Sequence, residues 1–498
     1  MNNSKISVRL EPLGKIIRVS SGTPLKDILF QYGVEFPCGG KGTCGGCKVK
    51  VLKGHLPLDE KQSKLLKDGG FGDEYRLACK AVATQDVSLE IGQFDTFVLA
   101  DNTSFHFTPK KDFGIAIDIG TTTLVAQLLN LETGQVKDAI TALNPQSEYG
   151  ADIISRIQYA VFEKGHDKLK TLIRQEISKM VNKLIIRNSI KVTDIVLVGN
   201  TVMQHLFDGT DLTPLSAFPF ETKEKDFSRF TSAELSLKTD PDTRITFIPS
   251  IGSFIGSDIM AGILASRMLE SDSYIALIDL GTNGEIAVGN KNGIFCASTA
   301  AGPAFEGTNI SMGMRATNGA ISSVSKEGEK LHCHVIGNDS PRGICGSGLI
   351  DAVAIFIQEG KIDIGGKIIG NSKKLDLSYP VVLSQKDIRE FQLAKGAVAA
   401  GIQILLKNLN ISSGDIDIIY IAGAFGSFIN IENTVDIGLI EFPVEKIKKL
   451  GNSALIGAKM CLFLDEIEIH DILKITKHFS LETSPDFQDI FSDKLLLN

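Results

Sequence analysis

The chain has 498 residues, of which 43% are hydrophobic and 22% charged, and its formal net charge is −7. This length predicts about three domains, and the composition is that of a globular protein with a sizeable core. The sequence contains neither a block of basic residues nor an apolar run long enough to span a bilayer, so we expect no nucleic-acid partner and no membrane span. The N-terminus lacks an apolar segment of signal-peptide length, which favours a cytoplasmic protein.

The first segment of the chain has the pattern of two strands followed by a short helix. Residues 4–20 alternate between polar and apolar side chains around Gly14, which predicts the two strands. Thr23 and Pro24 are typical of a helix start, with threonine as the N-cap and proline at the first helical position. This order indicates the opening of a small β-grasp fold.

Four cysteines follow with the spacing of a cluster-binding site. Cys38, Cys44 and Cys47 form a C-x5-C-x2-C pattern interrupted by five glycines, and Cys79 lies in the strand-like run YRLACKAVA. Three close thiolates and one distant thiolate match the ligands of a [2Fe–2S] ferredoxin. Zinc is the competing interpretation, but zinc sites usually pair two C-x-x-C units and only one is present. Disulfides are disfavoured in a cytosolic chain.

Residues 96–111 show no periodicity and are interpreted as a linker, after which a glycine-rich turn follows an apolar strand. The stretch GIAIDIGTTT covers residues 114–123 and contains Asp118 and Gly120. The turn offers backbone N–H groups that can form an anion nest, and its carboxylate can hold a hydrated Mg²⁺. We therefore predict that Asp118 binds the metal. The residues predicted to contact phosphates are Gly120, Thr121, Thr122 and Thr123.

The same stretch recurs 161 residues later as ALIDLGTNG, at residues 276–284. Asp279 takes the place of Asp118, and Gly281, Thr282 and Asn283 follow it. A repeat of this kind predicts a duplicated lobe that binds ATP between two phosphate turns. Each turn belongs to a predicted three-stranded meander. The meanders are predicted at 113–119, 123–130 and 135–141, and at 274–280, 284–289 and 294–298.

Three further glycine-rich stretches complete the predicted nucleotide site. Gly302 lies in AAGPAFEG and Gly346 in GICGSGLIDAV, and each pattern is typical of a helix N-terminus that faces phosphate. The turn GAFGSF at 423–428 follows a buried strand and allows the close backbone approach that grips an adenosine. The residues predicted to contact the adenosine are Gly423, Ala424 and Phe425.

In this order the segments resemble the sugar kinase/Hsp70/actin ATPases, through the two phosphate turns and the adenosine turn. A ferredoxin ahead of such an ATPase resembles the reductive activators of corrinoid proteins, and GNTVMQH, AAGPAFEG and GICGSGLIDA are similar to the ATPase half of that family. The resemblance covers nearly the whole chain. It implies a β-grasp [2Fe–2S] ferredoxin domain at 1–95, the linker, and a two-lobed RNase H-like ATPase of mixed α/β and α+β class. The lobes are expected at 112–270 and 271–498, with the option that the C-terminal helix packs against the first lobe.

The resemblance also implies a function. Such a protein passes one electron from its [2Fe–2S] cluster to Co(II) of a corrinoid protein, at the expense of ATP, and regenerates Co(I) for methyl transfer. It implies ATP and Mg²⁺ as cofactors and an unidentified low-potential electron donor as a partner. It leaves open whether the protein forms a homodimer. Asp118 and Asp279 would position metal and water. Gln146 would orient the attacking water, and the alternative for Gln146 is a residue that only starts a helix.

Two other functions are compatible with the same residues. The first is a small-molecule kinase with a redox-sensing ferredoxin domain, for which Asp258 is a candidate general base. The second is an electron carrier whose ATPase half is a nucleotide-sensing scaffold. ATP turnover measured with and without a corrinoid protein would separate the electron carrier from the activator, and a phosphorylated small molecule would identify the kinase.

Overall fold

The computed structural model describes residues 5–11, 15–29, 34, 42, 47–68, 71–91, 105–220, 226–281, 283–316, 319–336, 340–426 and 428–497. The chain forms two compact units. The first unit comprises Met1–Asp95, Ser147–Ser155 and Pro303–Phe391, and the second comprises Thr96–Gln146, Arg156–Gly302 and Gln392–Asn498.

Strands and helices alternate along most of the described chain. The strands are β1 (Lys5–Glu11), β2 (Lys15–Ser20), β3 (Thr23–Pro24), β4 (Lys48–Lys53), β5 (Tyr75–Leu77), β6 (Val82–Ala83), β7 (Val87–Glu90), β8 (Phe113–Ile119), β9 (Thr123–Asn130), β10 (Val136–Leu143), β11 (Val192–Gly199), β12 (Ser228–Phe230), β13 (Arg244–Phe247), β14 (Tyr274–Leu280), β15 (Gly284–Asn290), β16 (Gly293–Thr299), β17 (Ala320–Glu327), β18 (Lys330–Val335), β19 (Gly343–Ile344), β20 (Lys374–Ser378), β21 (Val381–Ser384), β22 (Ile416–Ala422), β23 (Ile447–Gly451) and β24 (Thr476–His478). The helices are α1 (Leu25–Leu29), α2 (Glu60–Asp68), α3 (Ile153–Phe162), α4 (His166–Asn188), α5 (Thr201–Asp208), α6 (Ser257–Ala265), α7 (Gly346–Gln358), α8 (Gln385–Leu409), α9 (Gly423–Gly426), α10 (Ile431–Asp436), α11 (Ser453–Cys461), α12 (Glu466–Ile475) and α13 (Phe487–Lys494).

The N-terminal part of the first unit is a mixed sheet packed on α1. Its strand order is β2-β1-β7-β4-β5, with β1 and β7 parallel, which is the predicted β-grasp arrangement. Val8 and Leu10 of β1 pack with Leu25 and Leu29 of α1 in one hydrophobic cluster. Because alternate residues of a strand face the same side of a sheet, β1 presents its apolar residues to this helix.

The predicted helix start, with Thr23 as the N-cap and Pro24 as the first helical residue, is wrong by one residue. Thr23 and Pro24 form β3, which pairs with β6, and α1 begins at Leu25. The Thr23 hydroxyl donates to the carbonyl of Ser20 at 2.7 Å instead of accepting a helix N–H. A local turn contact therefore replaced the cap, as is common for threonine side chains.

Two ion pairs join the ferredoxin-like part to the other segments of the first unit. Arg342 Nη1 lies 3.1 Å from Glu90 Oε1, at the end of β7. Lys26 Nζ of α1 lies 3.2 Å from Glu148 Oε1. All four side chains are partly exposed, so each pair contributes little to stability, about 0–1 kcal/mol.

The second unit contains two sheets with the same internal order. In the first sheet β8, β9 and β10 form an antiparallel meander, and β11 and β13 add parallel strands in the order β10-β9-β8-β11-β13-β12. In the second sheet β14, β15 and β16 form the meander, and β22 and β23 add the parallel strands. The duplication predicted from the two turns is therefore confirmed in the topology.

The helices α6 and α11 pack closely in the core of the second unit. Gly457 of α11 lies directly against the backbone of Ala261, and a Cβ at this position would overlap the Ala261 carbonyl oxygen. Both helices share one hydrophobic core with both sheets. This core includes Ala116, Val198, Met260, Leu277, Ala287 and Leu455. None of the helices in the described part of the chain combines the length and apolarity needed to cross a bilayer.

Candidate active site

The first phosphate turn directly follows β8. Asp118 is the penultimate residue of that strand and is partly exposed. The N–H of Gly120 donates to the carbonyl of Thr123 at 3.2 Å, which closes the turn. A Cβ at Gly120 would lie 2.5 Å from the same carbonyl oxygen. Only glycine fits here, because any side chain would open the turn.

The second phosphate turn follows β14 in the same way, but the connection between the last paired residues of the two strands is one residue shorter than in the first turn. The N–H of Gly281 donates to the carbonyl of Asn283 at 3.1 Å. Asp279 occupies the penultimate position of β14, as Asp118 does in β8. Thr282 lies outside the described residues. The repeat therefore places two equivalent carboxylates at the ends of two equivalent strands.

Four carboxylates interact in this region; Asp258 was predicted only as the general base of the alternative kinase, and Glu285 was not predicted at all. Asp258, from the first turn of α6, interacts electrostatically with Asp118 and Asp279. Glu285 of β15 interacts in the same way with Asp258 and Asp279. Glu285 lies directly opposite Asp279 in the β14–β15 pair. Like charges in that register repel each other. The hairpin length could have revealed Glu285, because the three-residue connection between Leu280 and Gly284 fixes which residues face each other.

Burial raises the pKa of every member of this carboxylate cluster. The pKa of Asp118 rises to about 6, mainly through burial. Burial and the charges of neighbouring carboxylates raise the pKa values of Asp258 and Asp279 to about 7, and that of Glu285 well above its usual range. Concentrated carboxylate oxygens are the ligands that Mg²⁺ prefers. Among the described residues, no three side chains of the ligating types lie close enough together to hold a metal directly.

Residues from α11 reach into the carboxylate cluster. Asn452 Nδ2 donates to Asp118 Oδ2 at 2.9 Å, and its Oδ1 accepts the N–H of Leu455, so Asn452 also caps the helix. Ser453 Oγ lies 3.5 Å from Asp279 Oδ2. The sequence pattern of an asparagine before a helix predicts only the cap. The contact with Asp118 depends on tertiary packing.

Gln146 does not fit its predicted role. Its side chain is completely buried, Nε2 donates to the carbonyl of Leu169 at 3.1 Å, and Oε1 accepts from Arg156 at 3.2 Å. A residue that orients attacking water must present a polar group to the reacting atoms. Gln146 instead supports a buried arginine, which sequence reasoning missed altogether.

The glycines predicted around the nucleotide fall in different parts of the chain. Gly423 has a φ of +87°, and a Cβ there would lie 2.6 Å from Asp279 Oδ1. Ala424 and Phe425 follow it in α9, and their side chains are outside the description. Gly302 has a φ of +75° and belongs to the second unit. Gly346 begins α7 in the first unit.

The candidate cluster site lies in the ferredoxin-like part of the first unit. Cys47 Sγ lies 3.2 Å from Cys79 Sγ, which is longer than the roughly 2.05 Å of a disulfide. The N–H of Ala78 donates to the carbonyl of Cys47 at 2.9 Å and holds the two segments together. Two adjacent thiols fit two ligands of one metal centre. Cys38 and Cys44 lie outside the described residues.

Family models match the chain in three consecutive parts. Residues 8–84 match the 2Fe-2S iron-sulfur cluster binding domain. Residues 113–271 match the RACo middle region, and residues 273–498 match the C-terminal domain of RACo, the ASKHA domain. The corrinoid activation enzyme RamQ of Eubacterium limosum is 34% identical over 435 residues, which cover 79% of this chain and 72% of that relative. The chain belongs to the RACo family of corrinoid-protein activators.

Two further comparisons agree with this assignment. A Co(II) methylated amine-specific corrinoid protein reductase of Methanosarcina barkeri is 29% identical over 417 residues, which cover 76% of each chain. The solved structure of a reductive activator for a corrinoid, iron-sulfur protein matches 99% of this chain and 98% of its own, with 26% identity and a TM-score of 0.69. The fold class predicted from the sequence is confirmed.

Proposed function

We propose that the protein reactivates a corrinoid protein by transferring one electron to Co(II), with hydrolysis of ATP. The observation that carries the proposal is the presence, in one chain, of paired ferredoxin cysteines and of duplicated phosphate turns whose carboxylates interact electrostatically. A ferredoxin alone would carry electrons, and an ATPase alone would hydrolyse nucleotide. Their fusion couples the two processes.

The second unit supplies the nucleotide site of this proposal. Asp118 and Asp279 would hold Mg²⁺ through its water ligands, and Asp258 and Glu285 would add negative charge around the ion. The N–H groups of the two phosphate turns would bind phosphoryl oxygens. Mg²⁺ supplies charge neutralisation on the phosphates when it is bound. The raised pKa values mean that cation binding displaces protons that the carboxylates otherwise retain near neutral pH.

The first unit supplies the electron-transfer site. Cys47 and Cys79 would be two of the four cluster ligands, with Cys38 and Cys44 as the others. A [2Fe–2S] cluster supplies one electron at a time when it is bound. The cysteines would thus hold the group that donates one electron to Co(II), which would be reduced to Co(I). The electron is replaced by an external low-potential donor, and ATP and water yield ADP and phosphate.

The energetics explain why ATP would be needed. Plant-type clusters have potentials near about −400 mV, and the Co(II)/Co(I) couple is expected to lie lower. A gap of ~100 mV corresponds to about 2.3 kcal/mol for each electron. Closure of a two-lobed ATPase around nucleotide can alter the surface shown to a partner and offset such a gap.

The proposal includes several finer assignments. We place the ferredoxin domain at 1–95, a linker at 96–111 and the ATPase lobes at 112–270 and 271–498. We place the protein in the cytoplasm, with a corrinoid protein and a low-potential electron donor as partners and without nucleic-acid or membrane partners. A homodimer is the oligomeric state to test first.

The proposal is tested anaerobically with the full chain. The protein, reduced by dithionite, is mixed with a corrinoid protein in the Co(II) state, and the Co(I) absorption band is followed with and without MgATP. Co(I) should form only when MgATP is present. A Cys79→Ser variant should lose this activity, while Cys333→Ser, a half-buried thiol of β18 outside both sites, should retain it.

The alternative functions give different results in the same experiment. A kinase would consume ATP and phosphorylate a small molecule without producing Co(I). A carrier with a sensing scaffold would produce Co(I) at the same rate whether or not ATP is hydrolysed. Either result would contradict the proposed function.

A further inference from the structure

The backbone of the first phosphate turn is held from behind by side chains of the second unit. Asn144 Nδ2 donates to the carbonyl of Gly120 at 2.9 Å. Arg156 donates through Nη2 to the carbonyl of Thr121. The backbone N–H of Asn144 donates to the carbonyl of Thr122 at 2.8 Å. Three consecutive carbonyls of the turn are therefore bound by Asn144 and Arg156.

The direction of the carbonyls fixes the direction of the N–H groups. In a planar trans peptide the C=O of one residue and the N–H of the next point in opposite directions. Because the carbonyls of Gly120 and Thr121 point toward Asn144 and Arg156, the N–H groups of Thr121 and Thr122 point away from them. Two successive N–H groups on one side form an anion nest.

Arg156 is in turn positioned by Gln146. The guanidinium is completely buried, and its Nη1 donates to Gln146 Oε1 at 3.2 Å. Gln146 is fixed by its own bond to Leu169 and by a bond from its backbone N–H to Asn144 Oδ1 at 3.0 Å. Asn144, Gln146 and Arg156 thus form one connected group behind the turn.

The hydroxyl of the turn is held separately. Asn200 Nδ2 donates to Thr121 Oγ1 at 2.9 Å, while its Oδ1 accepts the N–H of Met203 and caps α5. With Oγ1 accepting from Asn200, the hydroxyl proton of Thr121 remains available for another acceptor. The same residue can then donate from both its backbone and its side chain to a phosphoryl oxygen.

We infer that Arg156 is a positioning residue for the polyphosphate of ATP, acting through the Thr121 carbonyl, with Gln146 holding it in place. This inference rests on the proposed function. Because the turn is held in place, its N–H donors need not reorganise when the polyphosphate binds, and preorganised donors bind an anion more strongly. A lysine at position 156 keeps the charge but lacks the planar fork that reaches two acceptors at once.

MgATP binding and ATP hydrolysis by the full chain test the inference. In Arg156→Lys we expect KM for ATP to rise roughly 10- to 100-fold, because small displacements of positioning groups have effects of that size. Gln146→Met should show a smaller increase in the same direction. The matched control is Arg174→Lys, because Arg174 also donates to backbone carbonyls, those of Phe207 at 2.7 Å and Asp208 at 3.1 Å, away from the turn.

Chemical rescue separates positioning from general stability. Arg156→Ala leaves space for a guanidinium ion, and millimolar guanidinium should restore ATP hydrolysis to that variant but not to Asp279→Asn. If Arg156→Ala does not fold, Arg156→Lys and Gln146→Met still decide the question. Equal KM values for Arg156→Lys and Arg174→Lys would overturn the inference. Failure of the unmodified protein to bind MgATP would instead overturn the proposed function, and the inference with it.

Discussion

Asn452 Nδ2 donates to Asp118 Oδ2 at 2.9 Å, and this bond links α11 to the end of β8. The bond favours the charged form of Asp118 and partly opposes the effect of burial on its pKa. Asn452 therefore has two separable functions, since its Oδ1 caps α11 while its Nδ2 stabilises a carboxylate of the cluster.

Asn452→Ser should separate these two functions. Serine keeps an oxygen that can cap the helix but removes the amide donor. The pKa of Asp118 should then rise above about 6, and the acid limb of the pH–rate profile for ATP hydrolysis should move to higher pH. At pH 6 we expect a roughly threefold to tenfold loss of rate. The control is Asn430→Ser, because Asn430 caps α10 in the same way. An unchanged acid limb would refute the role of the amide.

The carboxylate cluster should make the metal-free protein less stable as the pH rises. The folded-state pKa of Asp258, about 7, lies above the ordinary aspartate value of 3.8, so the folded protein retains a proton that the unfolded chain releases between these values. The free energy of unfolding therefore falls as pH increases through this window. Asp258→Asn should remove part of this pH dependence. At pH 8 its free energy of unfolding should exceed that of the unmodified protein by on the order of 1–2 kcal/mol.

Chemical denaturation at pH 5 and pH 8 measures this effect. The difference between Asp258→Asn and the unmodified protein should be small at pH 5 and larger at pH 8. Mg²⁺ should stabilise the unmodified protein at pH 8 and diminish the difference. Asp240 is the control, because hydrogen bonds lower its pKa. Asp240→Asn should therefore not become more stable, relative to the unmodified protein, as the pH rises. A pH-independent difference for Asp258→Asn would contradict the prediction.

Gly423→Ala should displace Asp279. A Cβ at this position would lie 2.6 Å from Asp279 Oδ1 and 2.8 Å from the carbonyl oxygen of Leu280. The matched control is Gly451→Ala, because Gly451 also has a positive φ, +74°, but no atom lies within 4 Å of its Cβ position. Both variants should lose about 1–3 kcal/mol from backbone strain. Only Gly423→Ala should also lose Mg²⁺-dependent ATP hydrolysis, and equal hydrolysis in the two variants would exclude a clash with Asp279.

Lys80 should raise the potential of the cluster. Its side chain lies against Gly42, where a Cβ would overlap the lysine chain, and it follows Cys79 directly. A positive charge beside a cluster stabilises the reduced, more negative state. Lys80→Gln should lower the midpoint potential by on the order of tens of millivolts, as measured by EPR-monitored titration. Lys15→Gln, at the start of the edge strand β2, is the control. An unchanged potential in Lys80→Gln would show that solvent screens the charge.

The sequence was informative where a local pattern determines the structure. The alternation of apolar residues placed β8 and β9 at their observed bounds, and the repeat of the turn identified Asp118 and Asp279. Asn452 and Arg156 could not be found this way, because each acts on a residue far away in the chain. Gln146 was assigned the wrong role, since its neighbours in sequence do not reveal that it is buried.

Glu285 could have been found from the sequence. The register of the β14–β15 hairpin places it opposite Asp279, and the turn length alone could have predicted this pairing. In the first sheet Asp118 pairs with Val125 instead. The two halves of the repeat are therefore chemically unequal, and a comparison of the repeats residue by residue would have shown the additional acid.

The close packing of α6 on α11 has a consequence for how the ATPase part melts. These helices come from different halves of the repeat, and Gly457 lies against Ala261 in a core to which both sheets contribute. Neither half can bury its apolar surface without the other, because the interior is shared. Heating should therefore unfold the second unit in a single calorimetric transition, and two polypeptides divided near residue 272 should form this core only after they are mixed.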